Sequence, residues 1–134
     1  MNPRLFLSAS DSNPMYQQVI DQITAKVVAG DWPAGTALPS IRELASANQV
    51  SVITVKRAYQ ELERSGVIVT RHGKGSFVAE SLEAPRALLR SELEVHLQAL
   101  LTCATRLGLS REEIRQLIDK APQPAAEHMR GTKP

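Results

Sequence analysis

The chain has 134 residues, 43% hydrophobic and 22% charged, which excludes a disordered chain and allows one compact domain with an appendage, or two small domains with marginal cores. A formal net charge of +2 is too small to name a partner, and the one cysteine, Cys103, excludes an intrachain disulfide and fits a reducing compartment. No apolar run is long enough for a membrane span or a signal peptide, so we expect a cytoplasmic protein with no membrane contact.

Residues 4–8 read as a short strand or arm, followed by the polar turn Asp11-Ser12-Asn13. Asn13 is expected to cap a helix over 14–29, with Pro14 at its first position, where a missing N–H costs nothing. Tyr16, Val19, Ile20, Ile23 and Val27 recur at steps of three and four and form its buried stripe, and Gly30 stops it. Asp31 to Gly35 is loop chemistry, in which Trp32 is expected to pack against the domain. Ser40 and Glu43 have capping-box spacing, so a second helix starts near Ser40 and ends near Asn48, with Ile41, Leu44 and Ala45 turned inward.

Ser51 then caps a third helix that runs to about Ser65, before Gly66. Its inner stripe is Val55, Ala58, Tyr59 and Leu62; its outer face carries Val52, Ile53, Lys56, Arg57, Gln60 and Arg64. Two short helices joined so closely form a helix-turn-helix. β-Branched residues 67–71 and the run Ser76-Phe77-Val78 flank His72-Gly73-Lys74-Gly75, the pattern of a tight hairpin with a basic tip. A helix-turn-helix followed by such a hairpin is a winged helix.

Residues 82–108 read as a longer helix with Pro85 in its first turn. Leu89, Leu93, Leu97, Leu100, Ala104 and Leu107 repeat at steps of four and three, a coiled-coil type of seam. After Gly108, Ser110 with Glu113 makes a second capping box and Leu109 with Ile114 a hydrophobic staple, which predicts a last helix over 111–119. The expected fold is therefore mainly α with a small β-hairpin. A winged helix-turn-helix over 1–79 is followed by a two-helix dimerisation segment over 80–120 and a flexible tail over 121–134. So few residues offer little surface to cover the leucine seam, so we expect a homodimer.

Charge is localised where a nucleic acid would need it: residues 51–78 carry five basic and two acidic side chains, whereas residues 80–134 carry eight of each. The third helix has an outer face free of core duties, as insertion into the major groove demands. Candidate DNA-binding residues are Arg42, then Ser51, Val52, Ile53, Thr54, Lys56 and Arg57, and His72, Gly73 and Lys74 of the wing. No aromatic residues interleave with these charges, which favours duplex over single-stranded DNA. His96, His128 and Cys103 lack metal-ligand spacing, Gly73-Lys74-Gly75-Ser76 lacks the P-loop pattern, and no catalytic constellation is spaced for chemistry. We therefore expect no enzyme activity, no metal and no cofactor.

The blocks Leu38-Pro39-Ser40-Ile41-Arg42-Glu43-Leu44-Ala45, Val50 to Glu63, and Gly66-Val67-Ile68 with His72 to Val78 resemble the DNA-binding module of GntR-type regulators. The resemblance covers roughly residues 14–79, and the short helical tail is similar to that of the YtrA-like branch. It implies DNA contacts at positions matching Arg42, Ser51, Thr54, Lys56, His72 and Gly73. Many relatives have arginine where this chain has Val52 and a polar residue where it has Ile53, so their operator preference does not transfer. Larger members carry a C-terminal effector domain, for which the 55 residues after Ala79 are too few. Two rival readings use the same residues: an interaction adaptor whose winged helix has lost DNA affinity, and a sensor with a small-molecule effector at the dimer interface.

Overall fold

A computed structural model describes residues 1–122, so the expected flexible tail lies almost wholly outside the described residues, as does His128. In chain order the described residues form α1 (Met15–Ala29), α2 (Ile41–Asn48), α3 (Val52–Arg64), β1 (Ile68–Arg71), β2 (Gly75–Val78), α4 (Glu83–Arg106) and α5 (Arg111–Lys120). No helix among them is long and apolar enough to cross a membrane. Val19, Ile23 and Val27 of α1 meet Leu44 and Ala45 of α2 and Val55, Ala58, Tyr59 and Leu62 of α3 in one core, which Trp32, Leu38, Ile68 and Val78 complete.

Two local features differ from the sequence expectation. Asn13 does not cap α1: its N–H is taken by Asp11 Oδ1 at 2.9 Å, and Pro14 occupies the N-cap position with no side-chain cap. That small turn carries the chain on to Pro14 in extended geometry, with ψ at 156°, and leaves no register for an asparagine cap. Tyr16 is half-buried rather than part of the sealed stripe.

Of the two readings of residues 4–8, strand or arm, the structure has the arm, which pairs with side chains. Gln22 accepts from Phe6 N–H at 2.7 Å and donates to Phe6 C=O at 2.7 Å. Gln18 accepts from Ser8 N–H and donates to the carbonyls of Ser8 and Asn13, each at 2.9 Å. Asn48, at the end of α2, accepts from Leu5 N–H at 2.7 Å and donates to Pro3 C=O at 2.9 Å. Carboxamides carry a donor and an acceptor at one end, so each can replace one rung of a β-ladder.

The capping boxes at Ser40/Glu43 and Ser110/Glu113 are both formed. α4 is docked on the core by its start. Pro85 is buried in the first turn against Gly66, where a Cβ on Gly66 would lie 3.5 Å from Pro85 Cγ, and Arg86 donates to Val28 C=O at 2.8 Å. Residues 86–100 are exposed along every face.

Candidate nucleic-acid interface

The site is assembled by three ties that bring the start of α2, the start of α3 and the hairpin into one unit. The first is backbone pairing between residues 35–38 and β2. Leu38 N–H donates to Ser76 C=O at 2.9 Å, Val78 N–H to Thr36 C=O at 2.8 Å and Gly35 N–H to Val78 C=O at 2.9 Å, with Ala37 opposite Phe77. The loop before α2 thus extends the hairpin sheet and fixes the wing beside Ser40, which caps α2 and leaves Arg42 exposed in its first turn.

The second tie is the Tyr59 hydroxyl, which donates to Pro39 C=O at 2.7 Å. Burial, with the Glu43 charge adding to it, pushes this hydroxyl well above its ordinary pKa, so it stays a donor throughout the physiological range. Tyr59→Phe should lower the unfolding free energy in urea by about 1 kcal/mol, because the ring stays packed while the carbonyl loses its partner. An unchanged urea midpoint would show that the tie contributes nothing.

The third tie is the turn between the helices. Gln49 adopts φ 55°, in the left-handed region, and Val50 N–H donates to Ala45 C=O at 3.1 Å, so only three residues separate α2 from α3. Ser51 caps α3 through Thr54 N–H at 3.1 Å, and its hydroxyl lies 2.9 Å from Thr54 Oγ1, to which it donates. Thr54 therefore keeps its own O–H for an external acceptor.

The outer face of α3 begins with two apolar side chains, Val52 at 43% exposure and Ile53 at 79%. Lys56 is exposed one turn on. Arg57 is exposed too, and its guanidinium sits 3.7 Å from the centroid of the Tyr16 ring on α1. Arg64 is paired with Glu61 at the far end of the helix.

In the wing, Ile68 pairs with Val78 and Arg71 with Gly75. His72, Gly73 and Lys74 form the tip, closed by Lys74 N–H donating to Arg71 C=O at 2.9 Å. Gly73 lies at φ +76°, a conformation that a side chain at this position would strain. His72 and Lys74 are both exposed. Arg71, left out of the candidate set, lies with its guanidinium 4.8 Å from the Phe77 ring centroid and reinforces the basic wing. The signal for it was present: with Val69 opposite Phe77, Arg71 is the diagonal neighbour of that ring. Among the described residues, neither ion pair involves Arg42, Lys56, Arg57, Arg71 or Lys74. No group of three metal-ligating side chains occurs among them either.

Of the expected dimerisation residues, Leu89, Leu93, Leu97, Leu100 and Leu107 are exposed, whereas Ala104 is not. The chain reverses at Gly108, Leu109 N–H donates to Ala104 C=O at 3.0 Å, and Ala104 is buried at the α4–α5 corner of its own chain. An apolar groove of about 280 Å³ lies at that corner, lined by Leu100, Leu107, Ile114 and Leu117 among others.

Comparison with known proteins finds the model of "Bacterial regulatory proteins, gntR family" matching residues 15–78. The chain is 34% identical over 110 residues to the HTH-type transcriptional repressor YtrA of Bacillus subtilis, covering 80% of this chain and 83% of that one. A GntR family transcriptional regulator from Listeria monocytogenes superposes with a TM-score of 0.70 at 31% identity, covering 84% of this chain and 99% of that one. The DNA-binding domain of AraR, solved in complex with operator ORX1, superposes with a TM-score of 0.52 at 26% identity, covering 57% of this chain and 95% of that one.

Proposed function

Because the chain belongs to the gntR family of bacterial regulatory proteins, we propose that this transcription regulator is a cytoplasmic homodimeric repressor that reads a near-palindromic operator in duplex DNA. The observation that carries this reading is the assembly of the α2 start, the first two turns of α3 and the wing tip, whose Arg42, Lys56 and Lys74 enter no ion pair among the described residues. α3 enters the major groove by its first two turns. Ser51, Thr54 and Lys56 meet phosphates or base edges, and Val52 and Ile53 meet thymine methyl groups. Arg42 and the wing residues His72, Gly73 and Lys74 hold the flanking backbone, with Gly73 letting the main chain come close.

The two copies place their α3 helices about one turn, roughly 34 Å, apart, and occupancy across a promoter excludes polymerase. The printed name of the Bacillus subtilis relative supports the sign of regulation, and the AraR complex supports operator DNA as the partner. Selection from random duplexes followed by gel shift tests the reading. One enriched, near-palindromic sequence is expected; no enrichment would leave the adaptor reading in its place. Lys56→Ala should weaken binding to the selected duplex. If the lysine meets phosphate, the slope of log affinity against log salt falls by about 0.9; if it meets a base, one operator position is relaxed instead. Unchanged affinity across salt concentrations would remove Lys56 from the interface.

A further inference from the structure

Arg57, a candidate DNA-binding residue on the outer face of α3, is in contact with Tyr16 of α1. The guanidinium carbon of Arg57 lies 3.7 Å from the Tyr16 ring centroid, a separation at which the planar group is in face contact with the ring. Stacking engages the face of a guanidinium and leaves its N–H edge, with donors in a fixed fork, unspent.

The neighbour that would normally consume that edge is Glu61, one turn further along α3, at the i+4 position. Glu61 is already engaged through both carboxylate oxygens by Arg64. Arg57 is exposed, and among the described residues it is in neither ion pair. It therefore combines a full positive charge, a plane stacked on a ring and donors that no ion pair among the described residues uses, on the face of α3 that also carries Ile53, four residues earlier, and Lys56. Tyr16 lies in the first turn of α1, so the stack joins the start of α1 to that face.

A guanidinium with these properties suits a planar or tetrahedral oxyanion, which it can grip by two parallel N–H bonds. We propose that Arg57 is a phosphate clamp on the duplex backbone and that Tyr16 is the residue that positions it, which extends the DNA-contacting surface from the helix-turn-helix onto α1. The proposal rests on the duplex-binding reading above and assigns Arg57 to the phosphate backbone rather than to base edges. The clamp contacts phosphate, so it adds affinity without sequence preference. Tyr16 acts through Arg57, by holding the fork in one orientation before DNA arrives.

Affinity for a mixed-sequence duplex, measured by fluorescence anisotropy over a series of salt concentrations, tests both parts, with thermal melting of each variant as the check on folding. Arg57→Ala should weaken binding about tenfold and lower the salt slope by about 0.9, as the loss of one phosphate contact requires. Tyr16→Phe keeps the aromatic face and should bind as the unaltered protein does. Tyr16→Leu keeps apolar bulk without the stack and should lose several-fold in affinity although Arg57 is still present. If Arg57→Ala melts earlier but keeps affinity and slope, the stack is only a brace between α1 and α3 and the clamp is refuted. If Tyr16→Leu binds like Tyr16→Phe, the positioning role is refuted. Failure of the unaltered protein to bind any duplex overturns the interface reading and this proposal together, whereas normal binding with an unaffected Arg57→Ala overturns this proposal alone.

Discussion

Leu97→Glu combined with Leu100→Glu is expected to convert the proposed dimer to a monomer in sedimentation velocity and to weaken operator binding by 10²-fold or more. α4 is 24 residues long, about 36 Å; its first turn is docked on the core, and Leu88, Leu89 and Glu92 border a groove shared with α1. Leu93 at 63% exposure and Leu107 at 75%, with Leu89, Leu97 and Leu100 between 40 and 47%, form an apolar stripe that its own chain does not cover. Leu117 and Ile118 of α5 are also exposed, on the helix that borders the apolar groove at the α4–α5 corner. A monomer rarely leaves so much contiguous apolar surface in water. Two glutamates at the centre of the seam would have to be buried without partners, at a cost of several kcal/mol that the seam's apolar burial does not offset.

Operator affinity falls for a separate reason. Two winged helices joined in one particle bind the second half-site as an intramolecular event, which commonly raises affinity by 10²–10⁴-fold over one module. The double variant should retain the weak, salt-sensitive binding of a single module. A dimer that persists at low micromolar concentration would place the interface elsewhere. A monomer with undiminished operator affinity would mean that one winged helix suffices.

Elements governed by local chemistry were legible in the sequence: among the described residues each of the five helices ends within about two residues of its expected bounds. Ser40/Glu43 and Ser110/Glu113 form their boxes because a capping box is satisfied within four residues, whatever the rest of the chain does. The features missed are those that need a partner distant in sequence. Asn48 reaches back to Pro3 and Leu5, residues 35–38 find β2 only when the hairpin has formed, and Arg57 meets Tyr16 across the α1–α3 packing. Periodicity assigns Tyr16 to the buried stripe because its spacing is right, but it cannot tell a sealed position from the rim of that stripe. Ala104 fails in the same way, since the heptad pattern continues through it while the fold-back at Gly108 brings α5 over it. The exposure of Val52, Ile53, Lys56 and Arg57 was legible because α3 divides its residues between core and surface, and the face proposed to read DNA is what the core leaves unused.

Replacing Gln18 and Gln22 together by leucine should release the arm and lower stability by about 2–3 kcal/mol in urea unfolding, and the size follows from two competing costs. Gln22 is 2% exposed and Gln18 6%, and between them they serve the N–H and C=O of both Phe6 and Ser8. If the arm stayed in place, Phe6 N–H and C=O, Ser8 N–H and Asn13 C=O would lose their partners, while Ser8 C=O would keep Asp11 N–H, at about 1–3 kcal/mol for each that is shut off from water. If it peels away those groups are hydrated, and what is lost is the apolar burial of Leu5, 8% exposed, and of half-buried Leu7, roughly 1.5–3 kcal/mol for a fully buried leucine. The second route is cheaper, so the arm should leave, and its cost caps the destabilisation. Release of chain entropy on detachment keeps the figure below the sum for two leucines. Hydrogen exchange distinguishes the routes: the Phe6 and Ser8 amides should lose protection while α3 amides keep theirs at matched stability. A variant within roughly 0.5 kcal/mol of the parent with those amides still protected would show that the arm is held by its leucines and that the carboxamides only follow.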